Sequence, residues 1–207
     1  MDNSTYNLNR ADHAFLDQSI PHHWQAVSMA ELAPQRSNRR PLITLAGKIA
    51  STQRNQIRMM EEILREANVA YLTENVPEVT EIPGIQSQDQ IATLRALEGD
   101  EFNRTFIDLM VAHHRGEIVL ANRVLRKGQA EQVADLARTL LRSQRMQIYK
   151  MHQFYVDWYQ PPTQTLPPQP MEQQRNKQQV TQQVPPTQRE SANQVTTNPA
   201  QYNPSQT

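Results

Sequence analysis

Residues 15–30, FLDQSIPHHWQAVSMA, and residues 106–121, FIDLMVAHHRGEIVLA, carry the same double histidine in the same surroundings. Shifting the chain by 91 positions (113 − 22) lays His22-His23 on His113-His114, Phe15 on Phe106, Asp17 on Asp108 and Ala30 on Ala121 without a gap. The agreement continues through Leu45-Ala46 on Leu136-Ala137, Gln53-Arg54 on Gln144-Arg145 and Gln56-Ile57 on Gln147-Ile148, to Met60 on Met151. Ungapped self-similarity over about fifty residues marks a duplicated unit. Apolar residues recur at spacings of three and four, the period of an amphipathic helix. The chain therefore reads as one helical hairpin used twice.

Outward from the first histidines, a helix is expected from Arg10 to Ala33. Pro21 lies inside it and removes one backbone donor, so a kink or restart is expected there. A turn over 34–40, with Asn38 as N-cap and Pro41 in the first turn, leads to a second helix reaching about Tyr71. The connection contains Pro77, Pro83 and Gly84 and a short helix opened by a capping box, Ser87 to Gln90. A third helix opens with Asp100 as N-cap and stops at Gly128 in the left-handed conformation, and a fourth runs from about Gln129 to Pro161-Pro162. The expected fold is all-α: a four-helix bundle of two repeated hairpins with a long helical crossover. Residues 1–9 form a disordered N-terminus, 10–72 the first hairpin, 73–99 the crossover and 100–160 the second hairpin, with 10–160 one domain. The Pro/Gln-rich tail, 161–207, has too few large apolar residues to offset its ordering entropy and is expected to be disordered.

Lys+Arg and Asp+Glu are both 21, so the 207-residue chain has no net charge and no electrostatic footprint for nucleic acid. Cysteine is absent, which removes disulfides and thiolate metal sites and leaves eight Met and six His as soft or borderline donors. No apolar run reaches the ~18 residues of a membrane span. The opening MDNSTYNLNRADHAFL lacks the basic end and apolar stretch of a signal peptide, which makes the cytoplasm one expected location. Catalysis is not expected. The Glu-x-x-His motifs of di-iron bundles are missing; Glu117 follows His114 in the reverse order and is matched by Ala26. Ser19, one turn from His22, is matched by Met110, so no nucleophile and base recur together.

With each turn taken as symmetric, His22-His23 lie level with Gln53 and His113-His114 with Gln144, which casts these glutamines as orienting partners for imidazole nitrogens. Adjacent residues differ by 100° on a helix, so one histidine of each pair is expected to point fully inward. Met110, His113 and His114 are spaced i, i+3, i+4, and Met110 is level with Met146. Thioethers with imidazoles, in a chain without thiolates, select Cu(I) or Ag(I) ahead of Zn(II). The function expected is sequestering or carrying such an ion. The competing reading is an interaction bundle in which the histidines and glutamines form a buried polar network and bind no metal.

The run IPHHWQAVSMA, followed by Leu45-Ala46 and then Q-x-x-Q-I-x-x-M over 53–60, resembles the double-histidine domain-of-unknown-function family 305, CopM-type helical bundles of the ferritin-like superfamily. FIDLMVAHHRGEIVLA with QRMQIYKM is similar, with Leu120 where the family usually has Met. The resemblance implies a secreted or periplasmic bundle that binds Cu(I) through Met and His in copper homeostasis or resistance. Its ligands would be His22, His23, Met29 and Met60 in the first copy and His113, His114 and Met151 in the second. Such a carrier calls for a copper-accepting or envelope protein as partner. The oligomeric state is left open.

Overall fold

Six helical segments follow one another: α1 (Arg10–Ala30), α2 (Ala33–Arg36), α3 (Arg40–Glu66), α4 (Gln88–Ala96), α5 (Gly99–Lys127) and α6 (Glu131–Tyr159). The computed structural model describes residues 7–69 and 82–160, and among these there is no strand. The expectations for 1–6, for 70–81 in the crossover and for the tail from 161 onward lie outside the described residues.

Local chemistry sets the helix ends. Asn9 starts α1 with a capping box: its side chain accepts from the Ala11 and Asp12 amides while Asp12 accepts from the Asn9 amide. The frayed start expected up to residue 9 is thus ordered from this cap. α1 runs through Pro21 as one helix, with no restart, and ends at Ala30, leaving Ala33–Arg36 as a separate turn. Arg39 rather than Asn38 caps α3, because the Asn38 side chain is engaged by Asn103 of α5. α3 stops at Glu66, short of Tyr71, where Asn68 turns to φ 55°. α4 opens on the Ser87–Gln90 capping box. α5 begins before Asp100, with Glu98 as N-cap and Gly99 at φ 58°. Gly128 is extended at φ −72° rather than left-handed. A glycine is needed there because a Cβ would run into the Asp12 carboxylate, which accepts the Gln129 and Ala130 amides at 3.0 and 3.2 Å.

α1 packs against α3 and α5, and α6 against α5 and α3, which closes the four long helices into a ring. Ser19 meets Glu117 and Asn9 meets the Lys127 carbonyl, so α1 and α5 are antiparallel. Two apolar layers fill the interior. One contains Phe15, Leu16, Ile57, Met60, Leu120 and Leu140; the other contains Met29, Leu42, Phe102, Phe106, Met110 and Met151. On every long helix a polar stretch falls between them: Ser19, His22 and His23 on α1, Gln53 and Gln56 on α3, His113, His114 and Glu117 on α5, Gln144 and Gln147 on α6. All ten are buried. A polar slab through the middle of a core works against stability unless its groups are paired, so its contents point to a function.

Candidate metal centre

Both histidines of each pair are fully buried, where one per pair was expected to point inward. Each pair sits on a helix flanked by two neighbours, and a 100° turn carries one ring to each. His22 faces α5, its ring centroid 3.7 Å from that of His113, while His23 faces α3 and Gln56. The glutamines that meet the rings are Gln56 and Gln147, not Gln53 and Gln144. His23 Nε2 lies 3.0 Å from Gln56 Oε1 and His114 Nε2 2.5 Å from Gln147 Oε1. Both partners stand three residues after the glutamines that the symmetric-turn arithmetic selects, about one helical turn further on.

Hydrogen bonds fix the tautomers. Ser143 Oγ donates to the Leu140 carbonyl at 3.0 Å and accepts from Gln56 Nε2 at 3.2 Å, which leaves Gln56 Oε1 toward His23. His23 Nε2 must therefore carry the hydrogen. His22 Nε2 faces the Pro83 carbonyl, at 3.1 Å, an acceptor to which it must donate. Both rings are left with lone pairs on Nδ1. The two Nδ1 atoms face one oxygen, Glu117 Oε2, at 3.2 and 3.7 Å, while Glu117 Oε1 accepts from Ser19 Oγ at 2.9 Å. His22, His23 and Glu117 thus offer two imidazole nitrogens and a carboxylate oxygen within 4.8 Å of one another.

Burial governs the charges. Desolvation, with neighbouring histidines adding to it, drives His22 and His113 well below the usual imidazole range. Desolvation takes His23 down to about 3 and His114 to about 4, against hydrogen bonds to Gln56 and Gln147 that favour the charged form. The Glu117 carboxyl is pushed up to about 8 by burial, against the Ser19 hydrogen bond. At neutral pH the rings are neutral and burial favours the protonated Glu117 carboxyl, while Glu117 Oε2 and the Nδ1 atoms of His22 and His23 surround a place where none of them has a hydrogen-bond partner. A metal cation would enter that place in exchange for the carboxyl proton. Around it, both amide atoms of Gln53 and Gln144 and both ring nitrogens of His113 are buried without a hydrogen-bond partner. Native interiors rarely leave so many polar atoms unmatched, and their concentration in one layer fits a polar guest.

The same shifts predict how stability of the metal-free protein varies with pH. The unfolded chain takes up protons on these histidines near 6.5, whereas the folded chain refuses them until about 4 or below, so acidification below 6.5 favours unfolding. Glu117 acts in the opposite sense. Its stabilisation is fully present below 4.5, the unfolded value, and is lost as the pH rises through about 8. Four histidines outweigh one carboxyl on the acid side, so thermal melts across pH should peak near 6.5 and fall on both sides. Glu117→Gln should remove the decline between 6.5 and 8 and leave the acid limb.

The structure brings together His22, His23, His113 and His114. The candidate methionines lie in the flanking apolar layers or at the surface. Met29, Met110 and Met151 lie in one apolar layer and Met60 in the other, all fully buried. Met146 is 59% exposed. It stands two residues past the inward-facing Gln144, 200° around α6, so equal height does not make it a partner of Met110. Glu117 and Ser19 are the residues that sequence reasoning set aside, and each belongs to the centre. Their signal was position: Glu117 follows His113 and His114 by four and three residues, on the same helix face.

Residues 12–155 match the family described as a domain of unknown function, DUF305. Among solved structures, a DUF305 protein of Streptomyces coelicolor described as secreted is 27% identical, with a TM-score of 0.66, over 71% of this chain and 91% of that one. A DUF305 fragment from Deinococcus radiodurans is 29% identical, with a TM-score of 0.65, over 70% and 95%. CopM in its Cu(I)-bound form is 27% identical, with a TM-score of 0.58, over 72% and 97%, and CopM has also been solved bound to Ag and to Cu(II). No curated protein sequence matches the chain. The likeness spans both double histidines and all four long helices: the chain belongs to the DUF305 family.

Proposed function

We propose that the protein is a non-enzymatic metal carrier or store that holds a copper ion, exchangeable for Ag(I), between His22 Nδ1, His23 Nδ1 and the Glu117 carboxylate. The observation that carries this reading is the convergence of two Nδ1 lone pairs and one carboxyl oxygen in a fully buried place. Solved structures of the related CopM with Cu(I), Ag and Cu(II) support the choice of metal. Two imidazoles with a carboxylate form a borderline to hard donor set that accepts Cu(II) as readily as Cu(I). A preference for Cu(I) over Zn(II) does not follow from this donor set, which contains no thioether. The two-hairpin, ferritin-like reading belongs to the same proposal. It is supported by the His23–Gln56 and His114–Gln147 contacts, each spanning 33 residues, and by Asp12 and Asn103, which stand 91 positions apart (103 − 12) and each fasten the other half's interhelical turn. A site outside the cytoplasm is proposed from the secreted relative. Among the described residues no helix is long and apolar enough to cross a membrane.

Competition titrations of the purified protein with Cu(I), Cu(II) and Zn(II), followed by pH-stat, test the assignment. Loading at pH 7 should release about one proton per ion, the one held by Glu117, because metal ligands bind deprotonated. Glu117→Gln should abolish that release and weaken binding by more than about 100-fold, as loss of a direct ligand exceeds loss of an outer partner. Unchanged binding in Glu117→Gln and in His23→Ala would reject the centre and favour the buried polar network as a packing device.

A further inference from the structure

The polar layer reaches the surface on one side only by way of side chains. Between α3 and α6 lies a groove lined by Lys48 and Thr52 of α3 and by Ser143, Met146, Gln147 and Lys150 of α6. Two of these residues belong to the hydrogen-bond chains of the centre. Gln147 touches His114, and Ser143 holds Gln56 on His23. A single glutamine therefore separates the groove floor from His114. The opposite side, between α1 and α5, is sealed by backbone. There Gln25 and Gln86 exchange two hydrogen bonds of 2.9 and 2.7 Å, the Pro83 carbonyl sits on His22, and neither Gly84 nor Gly116 leaves space for a Cβ. Opening that side means moving a seated segment of chain, whereas opening the groove means rotating glutamine side chains, a far faster motion.

The groove also has a charge. Lys48 and Lys150 flank it, and among the described residues no acidic side chain lines it. Such a rim repels a free cation and draws in an anion. Met146 stands exposed in the same groove, a soft donor within reach of solvent, beside the apolar Leu45 and Phe154 that also line it.

We infer that the α3–α6 groove is the entrance to the histidine layer, taking copper in as an anionic complex and passing it inward by ligand exchange through Met146 and past Gln147. The inference rests on the proposed metal centre. In the exchange the chelator leaves as the free anion, the ion keeps its oxidation state, and Gln147 swings off His114 to let it pass.

Stopped-flow loading from the anionic Cu(I)–bicinchoninate complex and from the cationic Cu(I)–acetonitrile complex tests this in the full chain, with dissociation constants measured beside the rates. Thr52→Trp, which fills the groove, should slow both uptake and release by about tenfold and leave the dissociation constant within about twofold, since a blocked path changes rates and not the end states. Lys48→Glu with Lys150→Glu should slow loading from the anionic complex by about tenfold and speed loading from the cationic one, an effect that fades in high salt. Gln25→Ala, on the sealed side, should load at the wild-type rate. The entrance is overturned, with the metal centre intact, if wild type loads and Thr52→Trp loads equally fast, or if Gln25→Ala alone accelerates uptake. Failure of the wild type to take copper from either complex would overturn the metal centre itself, and the entrance with it.

Discussion

Alanine in place of Gly116 is expected to destabilise the protein by about 3 kcal/mol, as overpacking against a rigid neighbour does, although alanine is better than glycine in a helix interior by about 1 kcal/mol. The opposing effects give the experiment a decisive sign. Gly116 lies well inside α5, and a Cβ there would fall on the Pro83 carbonyl and within 2.6 Å of Gly84 Cα. Neither obstacle is the free end of a side chain. Gly84 is held at φ 81°, so the segment cannot reshape itself locally and must lift as a whole. Lifting withdraws the Pro83 carbonyl from His22 Nε2, breaks the Gln25–Gln86 pair and exposes the buried Ile82. Urea unfolding should show the loss. Imidazole nitrogen shifts should show that His22 no longer keeps its hydrogen on Nε2 alone, because the acceptor that selected this tautomer has moved. A gain of stability in Gly116→Ala would mean that helix propensity acts alone and the segment does not press on α5.

How much of this was legible in the sequence follows from what self-similarity at a fixed offset can and cannot report. The 91-residue offset and the apolar period located the helices that carry the double histidines, because the first signal depends on positions that agree across the offset and the second on regular spacing along each helix. The centre is built from positions that disagree. Ser19 is matched by Met110 and Glu117 by Ala26, and comparison of the copies discards them for that reason. Yet α1 and α5 face each other in antiparallel fashion, so the odd residue of one half meets the odd residue of the other: Ser19 Oγ donates to Glu117 Oε1. Equivalence in sequence said nothing about pairing across the interface. Level arithmetic gives height along a bundle and no azimuth, so it carries no sign that Met110 is buried while Met146 is turned to solvent. The strap at 82–86 left no periodic signature, since its seat depends on two glycines, Gly84 and Gly116, that are distant in sequence.

Asp12→Ala is the second large effect expected, a loss of about 4 kcal/mol, since hydrogen bonds to a charged group are worth roughly 1.5–3 kcal/mol each and several donors are stranded together. The buried Asp12 carboxylate accepts from the Asn9 amide at 3.0 Å, closing the cap of α1, and from the Gln129 and Ala130 amides at 3.0 and 3.2 Å. The last two stand at the start of α6, where a negative charge is also favoured by the helix dipole. One side chain thus fastens the first helix to the turn between the last two, 117 residues away in sequence. Asp12→Asn should recover part of the loss and no more, because its amide nitrogen would present a donor to groups that are themselves donors. At the other end of the α1–α5 pair, Asn103 Oδ1 accepts from Ser37 Oγ at 2.6 Å and its Nδ2 donates to Asn38 Oδ1 at 2.7 Å, fastening the turn before α3. Asn103→Ala should cost about 2 kcal/mol, as the two bonds that fasten the turn are between neutral groups and the third, from Nδ2 to Asp100 Oδ1 at 3.2 Å, is made to a solvent-exposed side chain. The two losses should add to within about 0.5 kcal/mol, because the sites share no partner. Both variants, compared below their melting temperatures, should bind copper as the wild type does, because neither residue touches the polar layer. Copper affinity lost in proportion to stability would show that the ends of the bundle, and not the layer alone, hold the histidines in place.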